Sequence, residues 1–515
     1  MLARMNLAAA FVQSAKNNSA KPALFSGETE FSYADVLAHS SVIGAHLRDK
    51  LSVKPGDRVG IWLKNCPEFI FSLFGILLAD AVVVPINNFL KPEEVSYMLA
   101  DADINVLISE AEMGEGLSAL QAGRPGLQVL KVDEQAPHPV PLPIGWGEGG
   151  VSPGEGPPRT ESDLAVIIYT SGTTGRPKGA MLSHGNLLCN VESCRQILQL
   201  TGQDRFAVIL PLFHSFMLTV GTLLPLLVGG SLLLVRSLHP LKNLLQEIVE
   251  RKATVLAAIP QFFRGLTMSQ ITGKDLPIRL FFSGAAPLPV PTIEEFRKKF
   301  SVPLIEGYGL SEASPVCSTN PPQGPIKAGS IGPPIPGVEM TIQDDNGNIL
   351  APRQTGEVCI RGGNVMQGYW NQPEETAKAF RNGWLLTGDI GHRDEDNYFY
   401  ITDRKKDMLL VNGINVYPRE LEEVIYQFPG VKEVAVIGVP DRRRGEQPVA
   451  FIAANGELQL DEKEITEFVR SRLADYKVPK RIVFLPKLPR NPIGKILKTA
   501  LRDMVKDEES RPSAP

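Results

Sequence analysis

Short apolar segments alternate with helical patterns along this chain, and no other feature limits its fold as strongly. Residues 241–252 place apolar side chains at i, i+3, i+4, i+7 and i+8, which marks one face of a helix. Apolar strands that alternate with helices predict an α/β fold, in which largely parallel sheets are buried on both faces. The apolar segments with the length of buried strands are Leu164–Tyr169, Ala207–Leu210, Leu232–Val235, Thr254–Ile259 and Leu280–Phe282.

Changes in sequence character divide the chain, whose 515 residues are too many for one ordinary core. Strand-like residues 338–342 and 357–360 flank the sequence DDNGN at 344–348, which is a strong hairpin signal. Beyond Asp403, helical and strand-like segments predict a compact α+β unit. We therefore predict an N-terminal domain over residues 1–403, with a β-rich subdomain from about residue 330, and a C-terminal domain over residues 404–515.

The composition argues against several classes of protein. A net charge of −4 gives no reason to expect a nucleic acid partner. The five cysteines form no CxxC pair and no zinc-like cluster, which fits reduced thiols in a cytoplasmic enzyme. A homodimer and loose attachment to a membrane surface stay open.

Residues 216–235 carry no charge and are long enough to span a bilayer. They lie within the alternation of strands and helices, however. We therefore predict no transmembrane segment here, but a buried helix, a turn at Gly229–Gly230 and a strand over residues 231–235.

The sequence TSGTTGRPKG at Thr170–Gly179 directly follows a predicted strand. Its glycines let the backbone turn tightly, its hydroxyl and N–H groups can hold phosphate oxygens, and Lys178 adds positive charge. It is not a Walker A loop, because Gly179 stands where that loop needs Ser or Thr. The segment therefore predicts a phosphate-binding loop of another type.

Three later segments carry side chains that suit a nucleotide. The small residues of SGAAP at 283–287 leave room for a flat ring. In EGYGLSE at 306–312, Tyr308 offers a planar face, Ser311 can bond a phosphate, and Glu312 is an oxygen ligand suited to Mg²⁺. The segment GWLLTGDIG at 383–391 contains one carboxylate, Asp389, and a carboxylate is a group that can accept hydrogen bonds from both hydroxyls of a ribose.

Together and in this order, the motifs resemble those of the adenylate-forming (ANL) superfamily, which includes acyl-CoA synthetases, beetle luciferases and peptide-synthetase adenylation domains. The resemblance extends over nearly the whole chain. It implies two mostly parallel α/β sheets and a β-rich subdomain in the large N-terminal domain, and a small, mobile α+β C-terminal domain joined by a hinge. The residues that it implies for ATP or AMP binding are Thr170, Ser171, Gly172, Thr173, Thr174, Gly175, Lys178, Gly284, Ala285, Ala286, Glu306, Gly307, Tyr308, Gly309, Ser311, Asp389 and Arg404.

The resemblance also implies a catalytic set and a metal site. Glu312 and Thr173 would hold the Mg²⁺ that accompanies ATP. His214, in PLFHSF at 211–216, would stand between the phosphate loop and the acid. Lys495, in LPRNPIGKILK at 488–498, would reach the active site during the first half-reaction.

Two further residues follow from the segment between the domains. Lys406 falls at the hinge position of the family, and Gly413 lies on the loop that lines the pantetheine tunnel for coenzyme A in relatives. Near Lys495, Arg490 and Asn491 replace the commoner Lys-Thr, while the Gly-Lys core is intact.

The activity that the resemblance implies is that of an AMP-forming acid–CoA ligase. A carboxylic acid would attack ATP, pyrophosphate would leave, and the thiol of coenzyme A would then take the acyl group without a covalent enzyme intermediate. The alternatives are an acyl-AMP ligase that loads a carrier protein, a luciferase-type enzyme, and an inactive nucleotide- or acyl-binding protein. Residues 388–413 lack the insertion typical of carrier-loading relatives, and intact Glu312, Asp389 and Lys495 argue against an inactive protein.

The acid is predicted to be apolar. The segments that would line its pocket, 213–221, 257–263, 283–286 and 309–316, contain no Lys or Arg, and Arg264 at their edge is the one basic residue available for a second carboxylate. This favours a medium- or long-chain fatty acid, with an aryl acid as the second choice. The predicted acyl pocket consists of His214, Phe216, Met217, Ile259 and Phe263.

Overall fold

The computed structural model describes residues 5–132, 159–170, 177–235, 237, 240–412, 414–441, 444–455, 460–490 and 496–509. The strands are β1 Pro22–Ser26, β2 Thr29–Ser32, β3 Arg58–Trp62, β4 Val82–Pro85, β5 Val106–Ser109, β6 Gln128–Lys131, β7 Leu164–Thr170, β8 Lys178–Ser183, β9 Arg205–Val208, β10 Ser231–Leu234, β11 Val255–Ala258, β12 Leu280–Ser283, β13 Leu304–Gly309, β14 Val316–Thr319, β15 Val338–Gln343, β16 Gly356–Gly362, β17 Gly368–Tyr369, β18 Phe380–Arg381, β19 Trp384–Arg393, β20 Phe399–Arg404, β21 Leu409–Val411, β22 Ile414–Val416, β23 Val431–Asp441, β24 Gly445–Ala454 and β25 Arg481–Phe484.

The helices fill the intervals between these strands. They are α1 Leu7–Asn17, α2 Tyr33–Asp49, α3 Pro67–Leu78, α4 Pro92–Asp101, α5 Gly114–Gly123, α6 His184–Ile197, α7 Ser215–Leu218, α8 Leu224–Leu227, α9 Leu241–Glu250, α10 Pro260–Met268, α11 Val290–Lys299, α12 Pro373–Ala379, α13 Pro418–Tyr426, α14 Glu462–Arg470 and α15 Lys498–Glu509.

Two mostly parallel sheets form the large part of the molecule, as predicted. An eight-stranded sheet has the order β14-β13-β12-β11-β9-β10-β1-β2, and a seven-stranded sheet has the order β17-β8-β7-β4-β3-β5-β6. Only their outer pairs are antiparallel in the described residues, namely β13–β14, β1–β2, β7–β8 and β8–β17. The α/β fold class is therefore confirmed.

Helices separate and cover the two sheets. One core cluster combines side chains of both sheets with α1, α3 and residues 215–227. A second cluster packs α9, α10 and α11 on the outer face of the eight-stranded sheet, and a third packs α4 and α5 on the seven-stranded one. Within α3, residues 69–78 are all buried, because this helix has sheet or helix neighbours on every side.

The uncharged segment 216–235 folds as predicted. Helices α7 and α8 flank a π-helical turn at Thr219–Leu223, and β10 follows after Gly229–Gly230. All three helical pieces are buried in the core between the sheets. No helix in the described part of the chain is long and apolar enough to cross a membrane.

Two small sheets complete the fold. β15, β16, β18, β19 and β20 form an antiparallel sheet, with a turn at residues 344–348 where the hairpin signal lies. β21 to β25 form a second sheet with α13, α14 and α15 around it. The chain passes from one sheet to the other between Arg404 and Leu409.

Candidate active site

The predicted nucleotide-binding segments gather at one edge of the eight-stranded sheet. β12 ends at Ser283, whose register partner on β13 is Glu306. After β12 the backbone turns sharply, and Ala285 has a φ of +66°, a left-handed conformation that costs energy for a residue with a Cβ. Open parallel sheets bind their ligands at this carboxyl edge.

Tyr308, Asp389 and Arg404 come together from β13, β19 and β20. The Tyr308 hydroxyl donates a hydrogen bond to Oδ2 of Asp389 at 2.6 Å, and Nε of Arg404 lies 3.2 Å from Oδ1 of the same carboxylate. Burial and the neighbouring carboxylate raise the pKa of Tyr308, so its hydroxyl remains a donor. The arrangement presents a planar ring beside a fixed carboxylate, as a nucleoside site requires.

Glu312 lies next to the first residue of the predicted phosphate loop. Its Oε1 accepts a hydrogen bond from the Tyr369 hydroxyl at 2.9 Å and lies 3.5 Å from Oγ1 of Thr170. Mg²⁺ binds through one or two carboxylates and takes its other oxygens from phosphates and water. Glu312 therefore suits an Mg²⁺ that arrives with a nucleotide. Among the described residues, no group of three or more His, Cys, Asp or Glu side chains forms a metal site by itself.

Lys178 has a carboxylate partner that the sequence analysis missed. Its side chain is 11% exposed, pairs with Glu375 and lies 5.1 Å from the centre of the Tyr369 ring. Hydrogen bonds from Lys178 and then from Lys378 lower the pKa of Glu375 to about 2. A phosphate at Lys178 would therefore share the ammonium group with Glu375. Almost two hundred residues separate the two partners, so no local pattern could have predicted the pair.

His214 and the phosphate-binding segment around Ser311 lie side by side. Nδ1 of His214 accepts a hydrogen bond from the Phe216 backbone N–H at 3.3 Å and so caps α7. The next residue, Ser215, places its Oγ 3.0 Å from Oγ of Ser311. The structure thus brings together two motifs that lie about a hundred residues apart in the sequence.

The predicted acyl pocket needs one correction. The rings of Phe216 and Phe282 lie 5.5 Å apart, whereas Phe263 contacts Phe281 at 6.0 Å. Phe281 and Phe282 are neighbours on β12, and successive strand residues point to opposite faces of a sheet. Phe263 is therefore part of the core beneath α10 and α11, and it does not share the space beside His214 and Phe216.

Apart from His214, the remaining pocket residues are apolar and at least partly buried. A Cβ on Gly284 would lie 3.0 Å from the Phe216 ring, so the ring covers this glycine. Met217 is buried in the same core cluster as Phe216, and Ile259 is half-buried at the start of α10. None of these side chains carries a charge, so this part of the large domain offers apolar contacts.

Glu306 is a buried carboxylate at the same edge. Its Oε1 accepts a hydrogen bond from the Leu288 backbone N–H at 3.0 Å, and its buried Oε2 has no hydrogen-bond partner in the described structure. Burial raises its pKa to about 7, although Arg419 of the C-terminal sheet region opposes the shift.

A cleft of about 280 Å³ lies between the residues at this edge of the eight-stranded sheet and the region of β21–β25. Lys498 lies in the cleft and pairs with Glu422 at 2.8 Å, a pair that the sequence did not suggest. On the large side the lining includes Arg264, Ala285, Ala286, Glu306, Gly307, Tyr308, Gly309, Asp389 and Arg404. On the small side, the lining includes Arg419, Glu422, Glu423, Arg490, Ile496 and Lys498.

Several predicted residues lie outside the described residues: Ser171, Gly172, Thr173, Thr174, Gly175, Gly413 and Lys495. Lys406 is exposed in the turn between β20 and β21. Arg490 and Ile496, which flank the segment that carries Lys495, both line the cleft.

The cleft lies between a large α/β part and a small α+β part, and its lining suits a nucleotide. This arrangement indicates a nucleotide-binding enzyme with two domains. The chain matches the family model "AMP-binding enzyme" over residues 11–370 and the model "AMP-binding enzyme C-terminal domain" over residues 420–495. It therefore belongs to the AMP-binding, adenylate-forming enzyme family, within which it is an AMP-forming acyl-CoA synthetase.

Individual relatives agree with this assignment. The chain is 36% identical over 510 residues to the long-chain-fatty-acid–CoA ligase of Bacillus subtilis (strain 168), with 92% of this chain and 90% of that one covered. It is 35% identical over 483 residues to a feruloyl-CoA synthase of Amycolatopsis sp, with 92% and 94% covered. The crystal structure of ATP-bound MatB from Rhodopseudomonas palustris has a TM-score of 0.89 and 32% identity, with 98% and 100% covered. The predicted superfamily, the ATP-dependent ligase activity and a carboxylic acid as substrate are thereby confirmed.

Proposed function

We propose that this enzyme activates a medium- or long-chain fatty acid with ATP and Mg²⁺ and transfers the acyl group to coenzyme A. The observation that carries the choice of acid is the apolar character of the buried side chains that follow His214, which are Phe216 and Met217, with the Phe216 ring against Gly284. A buried pocket without a cation rejects a second carboxylate, because that charge would lose its hydration without compensation. The similarity to a long-chain-fatty-acid–CoA ligase supports the same choice.

The chain's own groups would act mainly by electrostatics in the first half-reaction. The acid carboxylate attacks the α-phosphorus of ATP, an anhydride bond forms, and the bond to pyrophosphate breaks. Thr170, Lys178 and Lys495 would stabilise the negative charge that spreads over the phosphate oxygens. Mg²⁺, held by Glu312 and Thr173, would supply further charge neutralisation. Asp389 and Tyr308 would hold the nucleoside, so that the α-phosphate stays in reach of the acid.

We also propose that the small domain works in two orientations, pivoting near Lys406. In the structure, Arg490 and Ile496 line the nucleotide cleft, which supports an orientation for adenylation with Lys495 near the phosphates. The hairpin β21–β22 has two large apolar side chains exposed, Leu410 at 48% and Ile414 at 47%. Such exposure would end if a second orientation turned this hairpin, and Gly413 with it, towards the acyl adenylate.

A cytoplasmic location is part of the proposal. The support is chemical: all five cysteines are free thiols, and Cys194, Cys317 and Cys359 are buried where a disulfide partner is lacking. Loose attachment to a membrane surface and a homodimer are not needed for the site described here, because one chain supplies both sides of the cleft.

An aryl acid is the second candidate for the substrate. The relative named feruloyl-CoA synthase favours it, since that protein matches this chain at 35% identity over most of its length. A planar aryl acid could also stack near Phe216.

A panel of acids in a pyrophosphate-release assay tests the proposal. We expect octanoate or palmitate to exceed ferulate and malonate in kcat/KM by at least about tenfold, because the pocket offers apolar contact and no second cation. Release with ferulate alone would favour the aryl alternative. Efficient release with malonate would contradict the proposed pocket. Formation of the thioester with coenzyme A, followed in the same reactions, tests the acceptor.

A further inference from the structure

Arg264 was the one basic residue that the sequence offered for recognition of a second carboxylate. It lies on α10, which begins just after β11 at the carboxyl edge of the large sheet. The structure gives this side chain a different task, because its guanidinium is directed across the cleft to the small domain.

The guanidinium donates to two consecutive backbone carbonyls at the start of β23. Its Nη2 donates to the Val431 carbonyl at 3.2 Å, and its Nη1 donates to the Lys432 carbonyl. Its central carbon also lies 6.0 Å from the centre of the Tyr426 ring at the end of α13. The planar fork of arginine can reach two neighbouring acceptors at once, which the point charge of a lysine does less well.

We propose that Arg264 is a positioning residue that holds the small domain in the orientation for adenylation. The proposal rests on the two-orientation mechanism proposed above. The contact joins residues that are 167 and 168 positions apart and lie away from the pivot at Lys406. A rotation about that pivot would carry the Val431 and Lys432 carbonyls away from α10, so the contact belongs to one orientation only.

A contact that exists in one of two states shifts their equilibrium by its own free energy. Hydrogen bonds from a charged donor are among the stronger ones in proteins. Loss of this contact should therefore lower the ratio of the adenylating orientation to the other orientation by about tenfold. The second half-reaction uses the other orientation, so it should not be slowed.

The test is Arg264→Gln in two separate assays. Acid-dependent exchange of labelled pyrophosphate into ATP measures adenylation, and thioester formation from supplied acyl-AMP and coenzyme A measures the second half-reaction. Each assay uses the acid that the wild type prefers. We expect exchange to fall about tenfold, with the KM values for ATP and acid little changed, and thioester formation to be equal to or faster than that of the wild type. Arg264→Lys should recover part of the exchange.

Lys463→Gln is the control, because it removes an exposed charge of the small domain outside the cleft. It should leave both half-reactions unchanged. Exchange by Arg264→Gln within twofold of the wild type would overturn the proposal, and so would an equal loss in both half-reactions. Loss of activity towards a dicarboxylic acid alone would assign Arg264 to substrate recognition instead. A wild type that shows no exchange with any acid would contradict the proposed function, whereas the role of Arg264 depends only on the ratio of variant to wild type.

Discussion

At the scale of single residues, Asp389 is the best-defined element of the nucleotide site. One of its carboxylate oxygens accepts from Tyr308 and the other pairs with Arg404, so its position is set from two sides. A carboxylate held in this way can bind ribose hydroxyls without reorganising.

Replacement of Asp389 should therefore weaken nucleotide binding more than it affects the chemical step. For Asp389→Ala we expect the KM for ATP to rise by about tenfold or more, since charge-assisted hydrogen bonds are lost. Steady-state kinetics with saturating acid measure this. Asp396→Ala is the control, because that carboxylate is 75% exposed in the same subdomain. A KM for ATP within twofold of the wild type would remove Asp389 from the site.

Glu306 gives a prediction about pH. Burial raises its folded pKa to about 7 from an ordinary value of 4.5, with Arg419 and Glu423 facing it from α13. The folded state therefore holds a proton that the unfolded state has lost, and stability falls as the pH rises from the unfolded towards the folded pKa. Glu306→Gln, which cannot ionise, should raise the Tm near pH 8 and change it much less near pH 5, with a stabilisation on the order of 3 kcal/mol at the higher pH.

Thermal unfolding of the wild type and Glu306→Gln at both pH values is the measurement. The exposed Glu295→Gln serves as the control and should show no pH-dependent difference. An equal difference in Tm at the two pH values would mean that Glu306 is ionised in the folded protein throughout.

At the scale of secondary-structure elements, the buried carboxylate of Asp204 links the amino-terminal ends of the neighbouring strands β9, β11 and β12. Asp204, which precedes β9, accepts hydrogen bonds from Thr254 before β11 and from Arg279 before β12, at 2.9 and 2.6 Å. Its other oxygen accepts from the Thr201 backbone N–H at 2.9 Å. These bonds hold the strands whose opposite ends carry the active site.

Asp204→Ala should therefore destabilise the large domain on the order of 2–3 kcal/mol, because Arg279 and Thr254 lose a shared partner. Denaturant-induced unfolding of the wild type and the variant measures this difference in the free energy of unfolding. Asp275→Ala is a close control, since Asp275 makes the same bonds to Thr272 in an exposed turn. If both variants lost equal stability, the cross-strand network would contribute nothing beyond the local turn.

Much of the element pattern could be predicted because it is local. Strands β7, β9, β10, β11 and β12 and helix α9 follow the apolar periodicities, with ends that shift by up to two residues. Phe263 shows where such reasoning fails: the sequence places it near the pocket, but the side of the sheet that it faces depends on how α10 packs. The Lys178–Glu375 pair could not be predicted either, because only tertiary structure brings those segments together.

At the scale of the whole molecule, the cleft lies between residues of the large part and residues around the sheet β21–β25. The residues proposed to bind the nucleotide are in the large part, whereas Lys495 belongs to the sequence of the small part. An enzyme built in this way can carry out two half-reactions at one site by moving one part against the other.

Lys495→Ala separates the two half-reactions. We expect acid-dependent pyrophosphate exchange to fall by about a hundredfold or more, because a charge on the transition state loses its partner. Thioester formation from supplied acyl-AMP should stay near the wild-type rate. Lys487→Ala is the control, because Lys487 is an exposed lysine shortly before this segment. Equal losses in both half-reactions would contradict the two-orientation proposal.

In the proposed reaction, this enzyme makes a fatty acyl adenylate as a free-standing first step. The most direct measurement is the exchange of labelled pyrophosphate into ATP with palmitate or octanoate present and coenzyme A absent. We predict exchange that depends on the fatty acid, on ATP and on Mg²⁺. No exchange with any carboxylic acid, or exchange only when coenzyme A is added, would contradict the claim.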